Sequence, residues 1–345
     1  LENVERYNPI HQADFFGHER RPLMAKKLFL ITLTLVILMA TTVVAKPVNI
    51  GSSNPGSITH SISAAIAKLI TDQLKVQSRV IPHGGQSAFI PAINAGEVDF
   101  GVGSSYEVVD GVAGKGIYEG QVLKDLRVVS VLIPLSVAFF VAKDSPITSI
   151  KDLKGKKVPG GWTSQKIVRY LASALLANAG LTYEDVEMVP VPNVNRGADD
   201  FMQGKTDTFY FAVGSAMVRE AGAKVGGVRA LPFDPSPEAV ARARKHLEVL
   251  YPLLLQPSES NYGIVGPTYV AATDFLFITN KNMPNDLVYN VTKALHGGKQ
   301  AFLSSFKPLG INFSPDKMAK RLPAGEYHPG AIKFYKEVGL WPPKE

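Results

Sequence analysis

The chain has 345 residues, 46% hydrophobic and 19% charged, with a net charge of +7, seven His and no Cys. That length allows one large or two ordinary domains around a sizeable core, and the mild positive excess forms no run of the kind that grips nucleic acid. Without Cys there is no disulfide, thiolate metal site, iron–sulfur cluster or Cys nucleophile. The His residues form no HExxH or other close pair, so neither a metal nor a cofactor is expected.

Residues 1–23 are polar and irregular and begin with Leu, which reads as an extension upstream of the true start. Met24-Ala25-Lys26-Lys27 then leads into an apolar run, Leu28 to Val44, that closes on Val43-Val44-Ala45 before Lys46-Pro47. A positive start, an apolar middle and small residues before the cut define a secretory signal over 24–45, cleaved after Ala45. An uncleaved anchor is the competing reading, because 28–45 is just long enough to span a bilayer. Thr32, Thr34, Thr41 and Thr42 weigh against it, as does the cleavage site. An exported protein works without ATP or NADH, which disfavours nucleotide-dependent chemistry.

From Pro47 the pattern alternates strand and helix, an α/β chain. Pro47 to Gly51 reads as a strand, Gly51 to Ser57 as a turn-rich loop, and Ile58, Ile62, Ile66, Leu69, Ile70 and Leu74 as the apolar stripe of a helix. Arg79-Val80-Ile81 is a second strand, followed by His83-Gly84-Gly85-Gln86-Ser87, a helix through Asn94, and a strand Val98 to Val102. The same order returns with a strand at Lys156 to Val158 and a loop at Gly160 to Thr163. Ser164 reads as N-cap of a helix carrying Ile167, Val168, Leu171, Ala174 and Leu175. Strands at Val186 to Val191 and Thr208 to Val213 flank a helix ending at Met202-Gln203.

A specific echo links the two halves. Gly96-Glu97-Val98-Asp99 and Gly204-Lys205-Thr206-Asp207 each stand between a helix end and a strand, and both Asp residues read as turn caps. Two related βα lobes follow, at 46–135 plus 280–345 and at 145–270. The apolar stretches Ser136 to Ala142 and Thr273 to Thr279 connect them, giving a hinge at 136–144 and 271–279 with a cleft between the lobes.

The loop tips carry neutral hydrogen-bonding groups: Ser52, Ser53 and Asn54; Gln86 and Ser87; Ser105 and Tyr106; Thr163, Ser164 and Gln165. Several lie at helix starts, where free N–H groups and the helix dipole favour an anion such as a carboxylate. Trp162 is a candidate ligand wall with a simpler role as a core anchor, and of Tyr210 and Phe211 one should face out of its strand. Arg196 is the weakest candidate, a charge more often simply solvated. There is no GxSxG elbow and no phosphate loop, so a binding protein is favoured over an exported enzyme on a similar scaffold.

Further matches run across 46–345: Gly84-Gly85-Gln86-Ser87, Asn94 to Gly101, Ser149 to Val158, Met283-Pro284-Asn285-Asp286-Leu287-Val288-Tyr289 and Tyr327 to Tyr335. In this order and spacing the chain resembles the TAXI family of TRAP transporter solute receptors. That resemblance implies a type II periplasmic binding fold, a periplasmic location and a non-enzymatic, monomeric receptor. Such a receptor hands a small organic anion, glutamate-like or a dicarboxylate, to a sodium-coupled membrane permease. The alternative within the class is an ABC-type NMT1-like receptor for an aromatic or sulfonated solute. The loops at Gly51 to Ser57 and Gly160 to Gln165 depart from the family's usual runs, and Trp162 points to a substrate less polar than glutamate.

Overall fold

The computed structural model describes residues 46–343 apart from Gly56; the expected signal at 24–45 and the stretch before it lie outside the described residues. The first lobe opens with β1 (Val48–Ser52), α1 (Ile58–Leu74), β2 (Ser78–Pro82), α2 (Gln86–Asn94), β3 (Phe100–Ser104) and α3 (Ser105–Ala113). In α1 the Ser57 side chain accepts from the His60 N–H, and Lys75 closes the helix in the left-handed conformation. Its apolar stripe, Ile62, Ile66, Leu69 and Ile70, is buried as the spacing requires. α2 lies tightly on the strands: a Cβ at Gly101 would come within 2.6 Å of Ile93 and 3.0 Å of Phe89. A larger residue there would force the buried Ile93 side chain, and the Phe89 ring beside it, to shift.

β4 (Leu126–Ala142) then runs for 17 residues. The second lobe follows as β5 (Lys157–Gly161), α4 (Lys166–Asn178), β6 (Glu187–Val191), α5 (Val194–Met202), β7 (Phe209–Ala212), α6 (Ala216–Val225), β8 (Val228–Ala230), α7 (Pro237–Arg244) and β9 (Tyr251–Leu255). β10 (Thr268–Asn280) returns to the first lobe, which α8 (Asn285–Gly297), α9 (Lys299–Ser305), α10 (Lys307–Asn312), β11 (Glu326–Tyr327) and α11 (Pro329–Glu337) complete.

One sheet unites the lobes, in the order β11-β4-β10-β3-β1-β2. β1 is parallel to β2 and β3, while β10 is antiparallel to β3 and β4. Towards its far end β4 pairs antiparallel with β7 and β8, and β9 pairs antiparallel with β10. β5 and β6 form a separate parallel pair. The short connections expected at 136–142 and 273–279 are therefore parts of two long strands. Their length has a physical source, because each strand is covered by one lobe along one half and by the other lobe along the rest.

The packing shows the change-over. One apolar cluster is built from residues between Val48 and Ile133 and between Phe275 and Tyr335. Beyond it, β4 alternates: Val137, Phe139 and Val141 enter a second cluster with Trp162, Leu171 and Leu175, while Ala138 and Phe140 enter a third with Phe201, Phe209 and Val218. That is the two-residue period of a strand buried on both faces. Pro134, Leu135 and Ser136 between the clusters are half-buried. Pro134 stands opposite Asp274 at a register shift of the β4–β10 pairing, a place where a residue without an N–H is tolerated.

The echoed Asp residues do matching work. Asp99 Oδ2 accepts the Asn49 N–H at the start of β1, and Asp207 Oδ2 accepts the Lys157 N–H at the start of β5, each at 2.8 Å and each across 50 residues. Each carboxylate thus ties the third strand's entry turn to the first strand of its own lobe.

Candidate functional site

Strand polarity decides where the loops meet. β4 runs from the first lobe into the second, and β10 is antiparallel to both β4 and β3, so β1, β2 and β3 point their C-terminal ends towards the second lobe. β7 is antiparallel to β4, so its C-terminal end points back at the first lobe. Loops after strands of both lobes therefore face one another beside the change-over, the usual ligand position in α/β sheets. Contact there is direct: Tyr106, at the start of α3, packs in the second lobe's cluster with Tyr210, and Val213 N–H donates to Ser136 O at 2.9 Å.

The helix starts at this junction are not all closed in the same way. Ser57, Asn193, Ser215 and Ser236 cap α1, α5, α6 and α7 with their side chains. α2, α3 and α4, which begin at the ends of β2, β3 and β5, have no side-chain cap among the described residues, as is true also of α8, α9 and α10. Their first-turn N–H groups keep the partial positive charge of an open helix start. The acid in the first turn of α3, Glu107, is buried, and burial pushes its pKa up to about 8, so at neutral pH it supplies no competing charge.

The predicted site residues divide into accessible and structural groups. Asn54, Ser87, Thr163, Ser164 and Gln165 are exposed, and Ser53 and Gln86 are half-buried. Gln86 Oε1 accepts from both the Ser104 N–H (2.5 Å) and hydroxyl (2.9 Å), which locks the start of α2 to the end of β3. Gln165 Oε1 accepts the Val194 N–H at 3.1 Å and so caps the neighbouring α5. Ser164 is not the N-cap expected of it. α4 begins at Lys166 with Gln165 in that position, and the Ser164 N–H is drawn away to Pro192 O.

Other candidates are interior. Ser52 is fully buried, its hydroxyl shared between Ser53 O and His60 Nδ1. Ser105 is buried and its Oγ accepts the Asp274 N–H from β10 at 3.1 Å. Trp162 is fully buried, its Nε1 donating to the Tyr183 hydroxyl, which donates in turn to Pro159 O. It takes the core-anchor role and forms no exposed wall. Tyr210 packs edge-on against Trp162 and Phe139, while Phe211, the next residue, joins the third cluster on the other face. Arg196 is spent on Asp200, 3.0 Å away on its own helix.

Two residues that sequence reasoning passed over belong to the junction. His60 stands three residues past the Ser57 cap, and that spacing turns it towards the end of β1 and the Ser52 hydroxyl. Thr273, on β10 beside the change-over, has a buried hydroxyl without a partner among the described residues, and so has Tyr210. Burial holds the Tyr210 phenol well above its ordinary pKa, so it is a neutral donor at any physiological pH. An unpartnered buried hydroxyl is unusual enough to require an account.

These features define a two-lobe α/β scaffold of the type II periplasmic-binding class, two βα lobes joined by two crossings. Solved structures share the fold. A TctC solute binding protein from Polaromonas aligns at 15% identity over 79% of this chain and 91% of that one, with a TM-score of 0.52. A protein described as a periplasmic transporter aligns at 16% identity over 86% and 93%, also with a TM-score of 0.52. By sequence the chain belongs to the NMT1-like family, whose model matches residues 50–339.

Proposed function

We propose that this protein is an exported, periplasmic solute receptor that captures a small organic anion between its lobes and presents it to a TRAP-type sodium-coupled permease. The observation that carries the reading is that α2 and α3 start without side-chain caps at the ends of β2 and β3 that point to the second lobe, and that α4 starts uncapped just after Trp162, which packs on Tyr210 of β7. A carboxylate would supply the missing caps, with Ser53, Asn54, Ser87, Thr163 and Ser164 completing its shell and the Tyr210 hydroxyl donating from within. The lobes, 46–135 plus 280–345 and 145–270, close on the solute about the change-over at Pro134–Ser136. A monomer suffices for this cycle. The TctC relative's description as a solute binding protein supports the class of function, and the resemblance to TAXI receptors supports the choice of permease.

The test is calorimetry on protein refolded to remove copurified solute, titrated with glutamate, dicarboxylates and sulfonates. A carboxylate should bind, and Thr163→Val and Ser87→Ala should each weaken it about tenfold to a hundredfold, the worth of a hydrogen bond to a charged group. Arg196→Gln should change little. Binding confined to sulfonates, or abolished by Arg196→Gln alone, would overturn the carboxylate account.

A further inference from the structure

The change-over between the lobes carries a charged group that solute capture does not use. Asp274 lies on β10 opposite Pro134, where the β4–β10 register shifts, and its side chain is 8% exposed. Its carboxylate accepts from two donors that come from different lobes. The Lys320 ammonium reaches Oδ2 at 2.5 Å, and the Tyr251 hydroxyl reaches Oδ1 at 2.6 Å. The same ammonium stands 4.1 Å from the centre of the Tyr251 ring, a cation–π contact. The Asp274 N–H donates to Ser105 Oγ, so the backbone beneath the carboxylate is held as well.

Each donor is anchored in its own lobe. Lys320 follows Met318 and Ala319, which pack in or against the first lobe's apolar cluster. The Tyr327 hydroxyl grips its backbone twice, accepting the Lys320 N–H at 2.8 Å and donating to Lys320 O at 2.9 Å. Tyr251 opens β9, between Leu250 in the second cluster and Leu253 against the third. Burial and the Asp274 charge hold its phenol well above its ordinary pKa, so it stays a donor. Rotation of one lobe on the other must therefore change the spacing of Lys320 and Tyr251 while β4 and β10 run through unbroken. The backbone resists little at that point, because Pro134 has no N–H to give and the pairing is out of step. Side chains supply the bracing instead. A buried carboxylate is costly to leave without its partner, whereas Lys320, 43% exposed, can let go into water.

We propose that Lys320, Asp274 and Tyr251 form an interlobe latch with Lys320 as the part that lets go: engaged, it holds the lobes at the angle of this structure, and released, it frees rotation about Pro134–Ser136. The latch takes its use from the lobe closure proposed for solute capture, yet it acts without solute, so its test needs none and stands apart from the choice of ligand.

The chain has no Cys, so spin labels go only where Cys is introduced. Gln73→Cys on α1 and Ala241→Cys on α7 place one label at an exposed position of each lobe. Double electron–electron resonance on the refolded, solute-free mature chain then reads the interlobe distance. The parent should give one narrow distribution. Lys320→Met should shift or widen it. Lys320→Met combined with Asp274→Asn should do the same, and it leaves no unpaired charge where the single variant folds poorly. Lys281→Met, which breaks an ion pair with Asp125 inside the first lobe, should leave the distribution as in the parent. A parent distribution that is already broad, one unmoved in the folded Lys320 variants, or one moved equally by Lys281→Met would each overturn the latch.

Discussion

Trp162 lies at φ +52°, directly after Gly161 at φ +81°, a left-handed backbone that a bulky residue rarely adopts. Its indole is fully buried. Replacing it with Ala removes that burial and the bond to Tyr183, a loss of about 3–5 kcal/mol for a large aromatic. Replacing it with Gly removes the same contacts but also the clash of a Cβ in the left-handed region, worth about 1–2 kcal/mol. Against this stands the extra chain entropy of Gly, about 0.5–1 kcal/mol. The two backbone effects nearly cancel, with a balance of about 0–1.5 kcal/mol in favour of Gly. Trp162→Gly should therefore be as stable as Trp162→Ala or more so, the reverse of the usual order. Urea unfolding followed by far-UV circular dichroism would measure it, comparing midpoints at equal slope. A Gly variant less stable than the Ala variant by more than about 0.5 kcal/mol would refute the assignment of backbone strain to this position, because the expected difference rests on that strain.

Asp99→Ala should cost about 1–3 kcal/mol by orphaning the Asn49 N–H, and Asp207→Ala towards the low end because its carboxylate is exposed; the Asn variants, which keep an acceptor, should recover most of the loss in chemical unfolding. Glu107 is protonated in the folded protein up to about pH 8 but ionises near its ordinary 4.5 when unfolded. The unfolded state thus binds fewer protons between those values, and stability should fall as pH rises through that window. Glu107→Gln should flatten the profile of melting temperature against pH over the same window; an unchanged slope would place its source elsewhere. Tyr210→Phe removes a buried hydroxyl that has no partner among the described residues, so the unliganded protein should be unchanged or more stable by about 1 kcal/mol in calorimetric melting, while carboxylate affinity falls.

The alternation of strand and helix was legible because burial of one face imposes its period on the sequence, as in α1 and α4. The Asp99 and Asp207 echo was legible too, since a turn of fixed geometry asks for the same residues in both lobes. What one dimension hid was the partner of each loop residue. Ser105 and Thr163 look alike in the chain, yet α3 follows β3 without a loop, which presses Ser105 against β10 and leaves Thr163 in solvent. Gln86 and Gln165 likewise read as free amides, and each proves to be committed to a backbone N–H distant in sequence. The extent of β4 and β10 escaped because a strand buried by two different lobes shows no single amphipathic face.

The place of β10 in the sheet fixes an order of assembly. It is the tenth strand of the chain, yet it lies between β4 and β3 and separates the first lobe's early strands from the rest. Phe100 has no stacking partner until Phe277 arrives, and the Thr279 hydroxyl reaches back 180 residues to Asp99 O. The intervening lobe is drawn from one contiguous stretch and needs no such wait. Closing loops of that length is slow, so the first lobe is the last part to become native although it is the first to be synthesised. For a chain exported as proposed, this delay keeps the leading segment extended and fit for passage through a translocation pore until its final third has followed.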